Sequence, residues 1–207
     1  MIEHFIYDFD GTLSDSYPVF MEIIHELMRR HGGRPTVSEQ ELYRGVRAFT
    51  KYGYLMAEWE AGYTQEAFMK EFQEIQAQRY LDFKLFDGAE RLLSAVKESG
   101  KRNYLYTHTG ACIHRILENL GIASYFTDVI DASMGFPSKP APDALLSLAA
   151  RHGLDPAVCV MIGDRPIDLE AGKNAGMQSC FFDFDGVFAG VPADYSVTGL
   201  AEIINLI

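Results

Sequence analysis

The chain has 207 residues, 48% of them hydrophobic, enough for one domain of ordinary size or for one domain with a substantial insertion. Its 29 acidic and 18 basic residues leave a formal charge of −11, which argues against a broad nucleic-acid surface, since such binding rests on Lys and Arg neutralising phosphates. No stretch reaches about 18 uninterrupted apolar residues, and Met1-Ile2-Glu3-His4 lacks the basic start and apolar run of a secretory signal, so no membrane contact is expected.

The first predicted element is a buried strand over 4–8, built on Phe5-Ile6-Tyr7. It runs into Asp8-Phe9-Asp10-Gly11-Thr12-Leu13. Carboxylates leaving a strand sit at the edge where open α/β sheets bind ligands. At i and i+2 of an extended segment, Asp8 and Asp10 point to the same side. Ionised together they repel, so the pair calls for a bound cation, a shared proton or very different environments. Gly11 supplies a turn where side-chain bulk would be costly.

Next come some seventy residues, 16–84, without strand and helix alternation. Phe20, Ile23, Ile24, Leu27 and Met28 predict one amphipathic helix, and Phe68, Phe72 and Ile75 mark another; Gly32-Gly33 and Gly53 punctuate the stretch. It is too long for a crossover and too apolar for a disordered linker. A small helical domain at 16–84, inserted into a core of 1–15 and 85–207, is therefore expected, with hinges near 14–17 and 83–88.

Further strands are predicted at 102–107, 126–130, 158–162 and 178–182. Between them lie helical stripes: Ala89, Leu92, Leu93, Val96; Ile113, Ile116, Leu117, Leu120; and Leu145, Leu148, Ala149. Gly100, Gly121, Gly153 and Gly176 stand where these helices close. Strands alternating with helices imply an α/β fold, a Rossmann-like parallel sheet with helices on both faces. Cys112, Cys159 and Cys180 are odd in number, widely spaced and set in apolar patterns, as expected for buried reduced thiols in a cytoplasmic protein.

Four motifs arrive in order along nearly the whole chain: Asp8-Phe9-Asp10-Gly11-Thr12; a strand ending in Thr107; Ser138-Lys139-Pro140; and an apolar strand followed by Gly163-Asp164 with Asp168 four residues on. Together they resemble the haloacid dehalogenase-like hydrolases, in the phosphatase branch with a helical cap that includes phosphoglycolate phosphatases. The resemblance implies that Asp8 is a nucleophile forming an aspartyl-phosphate. Asp10 would protonate the leaving oxygen and later deprotonate water. Thr107, His108, Gly11 and Lys139 would hold the phosphate, Lys139 by its fixed charge. Taken alone, Thr107 reads as an ordinary strand-end threonine, Lys139 as a solvated lysine and His108 as a structural or solvent-facing histidine. The Asp8 and Asp164 carboxylates with the Asp10 carbonyl would form an all-oxygen site that suits Mg2+ better than zinc. Asp168 would hold metal-bound water or Lys139, or serve as an acid at a helix N-terminus.

The expected activity is Mg2+-dependent hydrolysis of a small phosphorylated metabolite by a monomer or homodimer. Asp10 weighs against a dehalogenase, which generally lacks the second carboxylate. A phosphomutase of the β-phosphoglucomutase type is an alternative that Gly11-Thr12 disfavours; a catalytically inactive phospho-ligand-binding protein is another. Substrate selection is assigned to the cap, where Arg44, Arg47 and Lys51 are candidates beside Tyr52 and Tyr54, although each also reads as a solvated or packing residue. Phe182-Asp183-Phe184-Asp185-Gly186 repeats the first motif, but no Thr, Lys and Gly-Asp series follows it, so a loop at the rim of the sheet is expected there.

Overall fold

In the computed structural model, which describes residues 1–49, 51–188 and 190–207, β1 (His4–Tyr7) leads directly to Asp8 and Asp10. The chain divides into two compact units, Ser16–Phe83 and Met1–Asp15 with Lys84–Ile207. Residue 84 belongs with the larger unit, where its carbonyl accepts from Asp15 N at 3.0 Å and from Ser14 Oγ at 2.9 Å.

The smaller unit holds α1 (Tyr17–Arg30), β2 (Arg34–Pro35), α2 (Glu39–Ala48), α3 (Tyr52–Leu55), β3 (Ala57–Glu58) and α4 (Gln65–Gln78). The two predicted helices are α1 and α4. The first buries Phe20, Ile23, Ile24, Leu27 and Met28, and the second buries Phe68, Phe72 and Ile75. Helix α2 lies outside the predicted apolar stripes, and its start is written as a capping box: Ser38 Oγ accepts from Glu41 N, and Glu41 Oε2 accepts from Ser38 N. Gly53 does not break the chain but lies within α3, where a Cβ would sit 2.7 Å from Ile24 Cδ1. Helix α3 can thus approach α1 only at a residue without a side chain. Tyr54, Trp59 and Phe68 pack as an aromatic group beside this contact, with ring centroids 5.4–5.7 Å apart.

The larger unit continues as α5 (Ala89–Glu98), β4 (Arg102–Tyr106), α6 (Ile113–Asn119), β5 (Phe126–Ile130), α7 (Asp143–His152), β6 (Cys159–Gly163), α8 (Pro166–Asn174), β7 (Gln178–Phe182) and β8 (Tyr195–Val197). Its sheet has the order β5-β4-β1-β6-β7-β8 and is parallel throughout. The five predicted strands are present, while the three-residue β8 was too short to show a period. Strand β1 is buried along Phe5, Ile6 and Tyr7 because both its neighbours and both faces of the sheet are covered. Ile6, Tyr104 and Met161 pack with Leu145 and Leu148 of α7 and Ala171 of α8, each large side chain contributing about 1.5–3 kcal/mol when fully buried. No helix among the described residues is long and apolar enough to cross a membrane.

The topology decides where the chemistry can sit. From β1 the chain goes to β4 and β5 on one side, then crosses to β6 on the other. Ligands in open α/β sheets bind at such a reversal, beyond the carboxyl ends of the strands. Asp8 follows β1, Thr107 follows β4 and Asp164 follows β6, so three residues far apart in sequence meet at one edge.

Candidate active site

The first carboxylate is fixed by backbone before any side chain acts. Asp8 N donates to Ile162 O at 2.8 Å, extending the β1–β6 ladder by one residue and leaving the Asp8 side chain only 1% exposed. The chain then turns sharply. The N–H groups of Thr12, Leu13 and Ser14 all donate to Phe9 O at 2.9–3.2 Å, and Gly11 N donates to Ser14 O at 2.8 Å. Gly11 has φ +81°, a conformation that a residue with a Cβ enters only under strain. The turn keeps Asp10 and Thr12 buried near the strand end.

Lys139 comes from the segment before α7 and is buried with its ammonium fully enclosed. Its three protons are all accepted: by Asp8 Oδ1 at 2.7 Å, Asp168 Oδ1 at 2.8 Å and Tyr106 O at 2.9 Å. Burial alone would discharge the amine, but the Asp168 and Asp8 carboxylates hold it above the usual lysine range. The two acids share this cation unequally. Burial pushes Asp8 up, to about 7, and Asp168 adds to the rise; Lys139 and Arg165 oppose it. Asp168 also feels burial, yet Lys139 and Arg165 hold it below the ordinary carboxylate range. Their bonding differs as well: Asp168 Oδ2 also accepts from Arg165 N at 3.1 Å. Asp8 Oδ2 is buried without a hydrogen bond and has Arg165 Nη2 at 3.7 Å.

Asp168 is thus both things its sequence context offered. Through Oδ1 it holds Lys139, and through Oδ2 it closes the first turn of α8, after Arg165 and Pro166. Gly163 makes the approach possible, since a Cβ there would sit 2.3 Å from Asp168 Cβ.

On the other side of β1, Thr107 is fully buried and its Oγ accepts from Thr109 N at 3.0 Å. That bond uses the oxygen as acceptor and leaves the Thr107 hydroxyl proton for another partner. His108 is half-buried, and its Nε2 accepts from Lys139 N at 3.2 Å. Burial, reinforced by the Lys139 and Arg165 charges, pushes its pKa down to about 3. His108 is therefore a neutral ring that steadies the Lys139 backbone. Thr109 Oγ donates to Asp10 Oδ2 at 2.7 Å, and Thr12 Oγ lies 3.3 Å from Asp164 Oδ1 as donor.

Oxygens of Asp8, Asp164 and Asp168 lie within 4.8 Å of one another, all buried. Asp168 is committed to Lys139 and Arg165, whereas Asp8 Oδ2 lacks a hydrogen-bond partner. Clustered buried carboxylates with an oxygen left over suit a hard divalent cation. The set implied by the resemblance was the Asp8 and Asp164 carboxylates with the Asp10 carbonyl; among side chains the structure gathers Asp168 with Asp8 and Asp164, while the Asp10 carboxylate accepts from Thr109.

Two contributors escaped the sequence reading. Thr109 carried a signal only as a polar residue two positions beyond Thr107, and Arg165 only as a cation beside Asp164. The candidates in the smaller unit differ among themselves. Arg44 is exposed on α2, whereas Arg47 is 1% exposed with its guanidinium 5.3 Å from the Tyr17 ring centre. The Lys51 ammonium lies 4.9 Å from the Phe49 ring centre, Tyr52 is exposed, and Tyr54 donates its hydroxyl to Tyr63 O. The repeated Asp183–Gly186 string does form a loop after β7. Its carboxylates accept from Gly186 N and Val187 N, and Phe184 packs on Phe86 and Phe182.

The family model for haloacid dehalogenase-like hydrolases matches residues 5–182. The chain is 29% identical over 181 residues to an N-acetylmuramic acid 6-phosphate phosphatase of Pseudomonas aeruginosa, covering 84% of this chain and 78% of that protein. It is 30% identical over 176 residues to a phosphoglycolate phosphatase of Xylella fastidiosa, covering 84% and 77%. A crystal structure of a hydrolase of the same superfamily from Geobacter sulfurreducens superposes over the whole of both chains with a TM-score of 0.81 at 23% identity, a likeness of fold. With this family match running from β1 to β7, the chain belongs to the haloacid dehalogenase-like hydrolases.

Proposed function

We propose that this phosphoric monoester hydrolase works through Asp8 as nucleophile and Asp10 as acid and base, on a small phosphorylated metabolite. The observation that carries the reading is the asymmetry of Asp8. Its Oδ1 is held by Lys139, while its Oδ2 is buried without a hydrogen bond at the carboxyl edge of the sheet. A carboxylate so placed is oriented without being fully neutralised, as a nucleophile needs.

In the first step an Asp8 oxygen bonds to phosphorus while the ester P–O bond breaks. The electron pair of that bond goes to the leaving oxygen, which takes a proton from Asp10. In the second step a water oxygen attacks phosphorus and passes a proton to Asp10, and the Asp8–phosphorus bond breaks with its electron pair returning to Asp8. Acid and base assistance of this kind is typically worth about 10²–10⁴-fold. Lys139 steadies the charge on Asp8 before the attack and again as the Asp8–phosphorus bond breaks, and Thr107 offers its hydroxyl proton to a phosphoryl oxygen.

The donor set fits Mg2+: the Asp8 and Asp164 carboxylates and the Asp10 carbonyl would hold it, with Asp168 anchoring Lys139 beside them. When bound, the cation would neutralise the clustered carboxylates and polarise the phosphoryl group. The unit at 16–83 is assigned the role of a cap that selects the non-phosphate part of the substrate. Free thiols at Cys112, Cys159 and Cys180 support a cytoplasmic setting.

The test is Asp8→Asn. A folded variant should release no phosphate from any ester and should no longer form an acid-stable, hydroxylamine-sensitive phosphoprotein in rapid-quench experiments with parent-like substrate. Turnover near the parent rate would remove the covalent route. For the cation, thermal unfolding should shift upward with Mg2+ in the parent and much less in Asp164→Asn, a readout independent of turnover.

A further inference from the structure

We propose that Thr109 is the positioning residue that aims the Asp10 carboxyl at the leaving oxygen; this deepens the reading of Asp10 as acid and base and rests on it. Thr109 Oγ donates to Asp10 Oδ2 at 2.7 Å, and both side chains are buried, at 4% and 9% exposure. A bond this short to a carboxylate is of the charge-assisted kind, roughly twice as strong as a neutral one.

The donor is itself fixed on both sides. Thr109 N donates to Thr107 Oγ at 3.0 Å, and Thr109 O accepts from Ala132 N at 3.1 Å. Ala132 lies in the turn after β5, where Asp131 Oδ1 accepts from Ser133 N and Ser133 Oγ. Thr107 N in turn donates to Ile130 O. The hydroxyl that reaches Asp10 is therefore carried on backbone pinned to two strand ends. Being β-branched, Thr109 also has few χ1 choices.

The consequence is chemical. A carboxyl group turns freely about its last torsion, which has broad wells. With Oδ2 already accepting from Thr109, the exchangeable proton belongs on Oδ1, and the group cannot present the wrong oxygen. In the first step that proton leaves Oδ1 for the ester oxygen as the P–O bond breaks. In the second step Oδ1 takes a proton from the attacking water. Misplacement by about 1 Å can cost on the order of 10²-fold.

The experiment compares two esters, an alkyl phosphate with a poor leaving group and a nitrophenyl phosphate with a good one. The quantity is kcat/KM, which reports the transfer to Asp8. Thr109→Val, equal in shape but without the hydroxyl, should lower kcat/KM on the alkyl ester by about tenfold or more and on the nitrophenyl ester by less than about threefold. Thr109→Ser should restore most of the loss, with thermal unfolding of all variants near that of the parent. An equal fall on both esters, or none, in a folded Thr109→Val protein overturns the proposal. Asp10→Asn separates the two levels of argument. If its loss is selective for the alkyl ester while that of Thr109→Val is not, Thr109 alone loses its role; if Asp10→Asn is itself unselective, the acid assignment falls and Thr109 with it.

Discussion

Lys139 Nζ lies 2.7 Å from Asp8 Oδ1 and 2.8 Å from Asp168 Oδ1, with all three side chains essentially out of contact with solvent. A cation between two buried carboxylates sets both the local stability and the state of the nucleophile. Removing it leaves charge without compensation, which typically costs about 3–5 kcal/mol. Lys139→Met in metal-free buffer should therefore unfold at clearly lower denaturant than the parent, and its turnover should be undetectable. Adding Asp8→Asn to it should restore part of the stability, because one of the stranded charges is then gone. A double variant no more stable than Lys139→Met in chemical denaturation would contradict this electrostatic account.

Gly163 presents a steric prediction. A Cβ at this position would meet Asp168 Cβ at 2.3 Å and Asp168 Cγ and Oδ2 at 2.7 Å. The obstructed atoms lie close to the α8 backbone, so they cannot swing aside as a long side chain would. Gly163→Ala should cost at least about 1–3 kcal/mol, the usual range for overpacking. It should also loosen Lys139 by displacing Asp168. Parent-like melting temperature and kcat together would show that the helix accommodates the methyl group.

His108 predicts a pH dependence of stability with a definite sign. In the folded protein burial and the nearby Lys139 and Arg165 charges push its pKa down to about 3, while the unfolded chain has the ordinary value of about 6.5. Between these values the unfolded state binds the extra proton, so stability rises with pH. The contribution is fully present above about 6.5 and is lost as pH falls towards 3. His108→Gln, which keeps an acceptor for Lys139 N, should reduce the slope of unfolding free energy by up to about 1.4 kcal/mol per pH unit between pH 4 and 6. Denaturation series at several pH values would measure it, and identical slopes would exclude a neutral His108.

In the smaller unit, single Ala replacements of Arg44, Arg47 and Lys51 test the proposed selection of substrate. At least one should lower kcat/KM on the best natural phosphomonoester while sparing a small generic ester. Arg47→Ala should also lower the melting temperature, since it removes a buried side chain packed on Tyr17. Arg44 is exposed, and its replacement should leave stability within about 0.5 kcal/mol. Equal, negligible effects of all three on both esters would remove these residues from recognition.

By itself the sequence determined the strand-then-acid form of Asp8 and Asp164, the order of the motifs, the parallel α/β class and the length of the insertion. These are local properties, written in apolar runs, turn glycines and helical stripes that depend on near neighbours. It also separated Asp8-Phe9-Asp10-Gly11 from its copy at 183–186, whose carboxylates accept from the backbone of their own turn. Only the tertiary structure decided the partners. Strand order brings β1 between β4 and β6, and this places Lys139 on Asp8 across 131 positions of sequence and Thr109 on Asp10 across 99. Helix α2 escaped because Leu42 and Val46 are the large apolar residues it buries, beside Gly45 and Arg47, and the three-residue β8 because it is defined by its pairing with β7. The two uses of Asp168 stood as alternatives in one dimension and became one arrangement in three, because a carboxylate has two oxygens and the fold supplies a donor to each.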